Sequence, residues 1–145
     1  MTRSTLRPGF RMKSFGGSFF DSKKVIASTT AAERKVLSRF GAIVRTRARR
    51  SIRKRKKTSQ VGRPPSSHTG LLRKKIFFGF DVGRRSVVIG PQKFKTGSAL
   101  QALEYGGRST DTKGRRIKIK ARPFMGPAFA DALPELPSLW RNSIR

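Results

Sequence analysis

The stretch TAAERKVLSRFGAIVRTRARRSI, residues 30–52, decides the fold of this chain. Its apolar residues recur every three or four positions, which is the spacing of one face of an α-helix. They are Ala32, Val36, Leu37, Phe40, Ile43, Val44, Ala48 and Ile52. At 100° per residue most of them fall within an arc of about 160°. The pattern predicts a long amphipathic helix whose packed part ends near Ile52.

Both the start of this helix and one of its basic residues can be interpreted from the sequence. Thr30 and Glu33 have the spacing of a capping box, which predicts that the helix begins at Ala31. Arg47 falls inside the apolar arc, so its guanidinium must either extend to solvent or pair with an acid. The acids considered for it are Glu104, Asp131 and Glu135.

Two β-rich regions follow the helix. Residues 71–80 and 84–91 are rich in β-branched and aromatic residues, and the DVG between them predicts a hairpin turn at residues 81–83. Residues 115–121 alternate apolar and basic side chains, which predicts a third strand with one face in solvent. The inward residues of that strand are expected to be Ile117, Ile119 and Ala121.

Short helices complete the pattern. Residues 97–107 predict a helix that is capped by Ser98 and ended by Gly106. Near the C-terminus, Pro127 suits the first turn of another helix, and Pro134 and Pro137 break it.

Together these elements predict one α+β domain, in which the long N-terminal helix packs on a small antiparallel sheet made of the hairpin and the third strand, with short helices at the C-terminus. A length of 145 residues suits a single domain. Residues 1–28 are predicted to be a basic N-terminal arm, and residues 29–145 to form the domain. The Pro64-Pro65 region predicts a long loop at about residues 57–69.

The charge of the chain points to an acidic partner. Lysine and arginine number 35 against 7 acids, a formal charge of +28. Such a charge repels itself in a compact fold, so it implies a polyanion or an acidic protein surface nearby. Eleven phenylalanines indicate a packed interior. No apolar run approaches the roughly 20 residues that span a bilayer, so a membrane partner is not expected.

The residues that carry most enzyme chemistry are scarce. The chain has no cysteine, and its only histidine is His68, in the Pro-rich loop. The acids are scattered, and no phosphate loop or dinucleotide fingerprint is present. We therefore expect no enzymatic activity, no metal site and no cofactor.

The stretch RTRARRSIRKRKK, residues 45–57, holds nine basic residues and no acid. A merely solvated helix face usually mixes the two signs. The predominance of arginine favours phosphate or carboxylate recognition, and the lack of a base-reading motif predicts salt-sensitive contact that ignores base sequence. The residues predicted to contact a polyanion are Arg45, Arg49, Arg50, Arg53, Lys54, Arg55, Lys56 and Lys57.

Three motifs follow the loop in a fixed order. They are TGLLRKKI at 69–76, ALEYGG at 102–107 and ARPFMGPAF at 121–129. A long helix followed by these motifs resembles the small head–tail joining and tail-completion proteins of long-tailed double-stranded DNA bacteriophages, over about residues 30–133. The residues that mark the family, and that the resemblance places near subunit contacts, are Gly70, Leu71, Glu104, Tyr105, Gly106, Arg122, Pro123 and Phe124.

The resemblance implies an α+β domain that assembles into a ring, commonly a hexamer, at the head-proximal end of the tail. Such a ring completes the tail and joins it to the filled head, so the expected location is the neck of the virion after assembly in the host cytoplasm. The expected partners are connector or head-completion proteins and tail-tube or tail-terminator proteins. The charge of +28 lies outside the family pattern. It would face either genomic DNA or acidic neighbouring rings.

Two other functions remain open from the sequence. Composition alone favours a free nucleic-acid-binding protein, ribosomal or architectural, that grips a polyanion without reading its sequence. The third hypothesis is a tail-tube or terminator component that never touches DNA.

Overall fold

The computed structural model describes residues 22–93, 98–111, 113–141 and 143. In chain order the elements are α1 (Ser22–Ser51), β1 (Arg53–Lys54), β2 (Ser66–Ser67), α2 (Leu71–Lys74), β3 (Ile76–Asp81), β4 (Ser86–Pro91), α3 (Ala99–Tyr105), β5 (Gly107–Thr110), β6 (Arg116–Ile119), α4 (Met125–Ala132), a 3₁₀ turn (Leu133–Glu135) and α5 (Leu136–Trp140). The predicted α+β class is confirmed. None of the helices in these residues has the length and apolar character needed to cross a membrane.

Helix α1 begins earlier than the capping box predicts. Thr30 lies inside the helix, where its hydroxyl donates to the carbonyl of Ile26 at 2.9 Å. Glu33 does not cap the helix, because its carboxylate accepts from the Arg85 guanidinium in the hairpin turn, at 2.7 Å from Nε. No glycine or proline interrupts residues 22–28, so the helix extends through them. That part of the predicted arm is therefore helical, and residues 1–21 lie outside the described residues.

The buried side of α1 is a spine of residues four positions apart: Val36, Phe40, Val44, Ala48 and Ile52. Helix α4, both strands of the hairpin and α5 pack against α1. Helix α1 ends at Ser51, and Ile52 is fully buried, which confirms the predicted end of the packed part. The chain then leaves the helix as β1, which pairs in parallel with β2 from the Pro-rich loop.

The predicted hairpin forms as β3–β4, with Phe78 opposite Ile89 and Phe80 opposite Val87. Its first strand is shorter than predicted, because residues 71–74 form the helical turn α2 instead of extended chain. The cause lies at Gly70, whose φ of 75° is left-handed and whose carbonyl accepts from the Lys74 amide at 3.0 Å.

The third predicted strand exists as β6, but it does not join the hairpin. It pairs with β5 in a separate antiparallel ribbon, with Gly107 opposite Ile119. The prediction that Ile117 points inward is wrong, because 40% of its surface is exposed. Ser109, which lies opposite Ile117 on β5, is buried. In the ribbon turn the backbone N–H of Arg115 is the main cause of a lowered pKa of Asp111.

The short helices mostly follow the sequence. Helix α3 ends at Gly106, whose φ is 80°, as predicted, while Ser98 occupies the N-cap position without a side-chain cap bond. Pro127 lies in the first turn of α4, also as predicted. Pro134 lies in the 3₁₀ turn that follows α4, and α5 begins directly after that turn.

Contact between α1 and the hairpin depends on Gly41. A Cβ atom at this position would lie 2.8 Å from both Phe78 Cδ2 and Val87 Cγ2, closer than carbon atoms approach. We expect Gly41→Val to lower the free energy of unfolding by about 2 to 3 kcal/mol, because the packed side chains must shift. Chemical denaturation measures the change.

The matched control is Gly79→Val on the open face of the same hairpin, where an added Cβ meets nothing within 4 Å. It should leave stability nearly unchanged, since valine suits a strand. Equal denaturation midpoints for the two variants would contradict the described contact.

Candidate polyanion-binding site

The structure divides the predicted basic cluster into packed and exposed residues. Arg45 belongs to the packed side of α1, where its Nε donates to the Ile76 carbonyl of β3 at 2.8 Å. Arg47 donates to the main-chain carbonyl of Asp131 and pairs with the Glu135 carboxylate, so Glu135 is the one of the three acids considered that forms an ion pair with it. The structure thus places these two arginines among the contacts that hold α1 to its neighbours.

The rest of the cluster faces outward. Arg49 is half-buried, and the other predicted contact residues are exposed: Arg50, Arg53, Lys54, Arg55, Lys56 and Lys57. The exposed part does not continue as a helix, because Arg53 and Lys54 form β1 and run beside Ser66 and Ser67. Arg55 Nε donates to Ser66 Oγ at 3.1 Å. This pairing turns the basic segment back along the Pro-rich loop.

The loop adds an arginine that the sequence did not indicate. A depression of about 330 Å³ is lined by Arg50, Ser51, Arg53, Arg55, Arg63 and Pro64. Arg63 comes from the loop and joins the arginines at the end of α1. Sequence reasoning missed it because residues in a loop have no periodicity that fixes their neighbours.

Two more depressions continue along α1 from the first. One, of about 400 Å³, is lined by Arg39, Ala42, Ile43, Thr46, Arg47 and Arg50. The other, of about 60 Å³, is lined by Lys35, Val36, Arg39, Leu139, Arg141 and Ser143. Because neighbouring depressions share Arg50 and Arg39, they form one continuous strip. We call its outward-facing basic residues the basic track: Lys35, Arg39, Arg50, Arg53, Arg55, Arg63 and Arg141.

The sequence contained a signal for part of this strip. Lys35, Arg39, Thr46 and Arg50 lie along the side of α1 away from the buried spine, at intervals of four or seven residues. Lys35 and Arg39 lie outside the predicted site because the densest charge run begins at Arg45. Arg141 is distant in sequence, and only the packing of α5 on α1 brings it to the strip.

Most acids of the described chain have partners outside the basic track. Glu33 pairs with Arg85, Asp111 with Arg115, and Glu135 with Arg47. The Asp81 carboxylate accepts from the Arg84 amide in the hairpin turn. Within the residues that the structure describes, no carboxylate forms an ion pair with the basic track. The charge of the track is therefore not neutralised inside the fold.

The partial negative charge at the C-terminal end of α1 can balance only a small part of the positive charge of the track. Arg49 and Arg50 lie in the last turn, where the helix dipole presents a partial charge of about −0.5. One cation near that end is enough to complement the dipole. The additional arginines of the track call for an external anion.

The family-marker residues have a different role from the basic track. The Glu104 carboxylate accepts three backbone N–H bonds at the start of α4: from Phe124 at 3.0 Å, Met125 at 3.1 Å and Gly126 at 2.7 Å. These are amides that a helix N-terminus leaves without partners, so Glu104 caps α4 from α3. Phe124, beside this cap, is only 1% exposed and lies in the core.

The other markers are divided between the interior and the surface. Arg122 fixes the long loop, because its Nε donates to the Ser59 carbonyl at 3.1 Å and its amide to the Leu103 carbonyl at 2.6 Å. Pro123 is half-buried between these anchors. In contrast, Tyr105 is 80% exposed and Leu71 is also exposed, so these two apolar markers face outward.

No group of three or more His, Cys, Asp or Glu side chains in the described residues is placed to hold a metal ion. His68 is exposed in the Pro-rich loop.

No protein-family model, curated protein sequence or solved structure was found to match this chain.

The cap on α4 yields a stability prediction. Glu104→Ala leaves three amide groups at the helix start without their charged acceptor, so we expect a loss of about 2 to 3 kcal/mol in the free energy of unfolding. Thermal and chemical denaturation measure it.

Glu135→Ala is the matched control, because it removes an exposed carboxylate from an ion pair with the half-buried Arg47. It should cost less than about 1 kcal/mol. If both variants lose the same stability, Glu104 does not have the special role assigned to it.

Proposed function

We propose that this chain is a structural virion protein of a tailed phage, which forms a ring at the head–tail interface and joins tail to head. The observation that supports this most directly is the Glu104 cap. The acid of the EYG motif bonds the backbone of the RPF motif, so motifs that are separate in sequence form one structural unit. A set of markers that depend on each other is a stronger basis for the resemblance than three unrelated motifs.

Exposed apolar side chains are consistent with subunit contacts. On the outer face of the hairpin, Phe77 is 50% exposed opposite Gly90, and Val88 is 63% exposed opposite Gly79. Each large side chain thus stands beside a residue without one, so the face has protrusions next to hollows. Scattered exposed apolar residues are ordinary, but a face shaped in this way suits a neighbouring surface.

The charge adds a requirement to the ring. Identical chains of formal charge +28 repel one another when they are brought together. A stable ring of such chains needs an anion at its basic surface. At the head–tail interface that anion is either the genomic DNA in the lumen or an acidic face of the adjoining connector, head-completion, tail-tube or terminator protein.

Inactivation of the gene in the phage that encodes this chain tests the proposal. We expect filled heads and complete but separate tails by electron microscopy, because the joining protein is missing. Native mass spectrometry of the purified protein should show a closed ring of defined subunit number, with six expected from the resemblance. Normal infectious particles formed without the protein would contradict this function.

A free nucleic-acid-binding protein is the second candidate, and the basic track without internal counterions favours it. Such a protein would remain a monomer and copurify with cellular RNA. The mass of the native species, measured after nuclease treatment, separates the two functions.

A further inference from the structure

The basic track is elongated along α1. Lys35 and Arg50 are 15 residues apart on α1, which is about 22 Å at 1.5 Å per residue. Beyond Arg50 the line continues through Arg53 and Arg55 to Arg63 of the loop. A linear array of cations matches a linear array of anions more closely than it matches one folded acidic surface.

Arginine is the dominant residue of the track. Of its seven members only Lys35 is not an arginine. The planar guanidinium presents forked donors that match the paired oxygens of a phosphodiester. The 22 Å section alone spans six or seven phosphates of one strand, at about 3.4 Å per phosphate along a duplex axis.

The floor of the track tells which form of nucleic acid it suits. The residues between the cations are small or aliphatic, namely Ala42, Ile43 and Thr46 in the middle section. Among the residues that the structure describes, no Phe, Tyr or Trp lines the three depressions. Single-strand binders use such rings to stack unpaired bases, so the described part of this surface suits a paired strand better than an unstacked one.

We propose that the basic track binds the phosphodiester backbone of a nucleic-acid duplex along one strand, without reading its bases. The inference rests on the proposed function only for the source of the duplex, which in a tail lumen is the genome. Binding is a property of the chain itself. It can therefore be tested on the purified protein, and either proposal can fail without the other.

The test is fluorescence anisotropy of the full-length chain with a 20-base-pair DNA duplex over a series of salt concentrations. Five to seven phosphate contacts predict a slope of log K against log salt of about −4.5 to −6. The variant Arg50→Gln/Arg53→Gln should make the slope shallower by about 2 and weaken binding on the order of tenfold or more.

The matched control is Arg108→Gln/Arg116→Gln, which removes the same charge from exposed positions of the β5–β6 ribbon, outside the track. It should leave the slope within about 0.5 of the unaltered protein. Arg50→Lys/Arg53→Lys keeps the charge and should restore most of the slope. Circular dichroism confirms folding, which these exposed substitutions should not disturb.

Duplex DNA and duplex RNA are compared as two sources of the same phosphodiester chemistry, and poly-L-glutamate is used as the competitor. Binding of either duplex with the track-dependent slope supports the proposal. Equal losses in the track and control variants would show diffuse attraction and overturn it. The competition compares poly-L-glutamate with unlabelled duplex at the same concentration of negative charge. If poly-L-glutamate displaces the labelled duplex equally well, the track recognises acidic polypeptides, and the proposal is overturned.

Discussion

Helix α1 can bury only one of its sides, and that constraint organises the molecule. The buried spine of Val36, Phe40, Val44, Ala48 and Ile52 lies against the hairpin and the C-terminal helices. Each of these side chains stabilises the fold only while it is removed from water. The opposite side must therefore remain in solvent, and Lys35, Arg39 and Arg50 of the basic track lie along it. Burial of the spine and presentation of the basic track are two results of one helical periodicity.

The small number of acids determines how that charge is distributed. Three of the described acids connect separate elements: Glu104 caps α4, Glu33 of α1 holds Arg85 of the hairpin turn, and Glu135 of the 3₁₀ turn holds Arg47 of α1. These contacts connect elements that are far apart in sequence. None of the described carboxylates forms an ion pair with the basic track, so its outer surface stays strongly positive. A partner that supplies negative charge is thereby part of the physical description of this protein.

Much of the fold could be predicted because local chemistry decided it. The alternation around Phe78 and Ile89 specified the hairpin, and Gly106 ended α3 where a left-handed residue was needed. Thr30 misled the prediction, because a threonine hydroxyl can cap a helix or bond back to the preceding turn, and residues 22–28 favoured continuation. The pairing of β6 with β5 could not be predicted from the sequence either, since alternation identifies a strand but not the strand beside it.

The candidate site was predictable in part for the same reason. The charge run marked Arg50, Arg53 and Arg55, but Arg63 and Arg141 reach the basic track through tertiary packing alone. Arg45 shows the reverse case, a residue within the run that the fold uses for its own contact with β3. Charge density along the chain identifies a basic region, whereas the surface that a partner meets depends on which side of α1 is buried.

A reconstruction of the head–tail junction in intact virions, by electron cryomicroscopy, tests the central claim most directly. We expect a closed ring of this chain between head and tail, with the exposed side of α1 and its basic track turned toward the DNA in the lumen. A junction without this chain, or a ring whose basic track faces away from the DNA, would contradict the proposal.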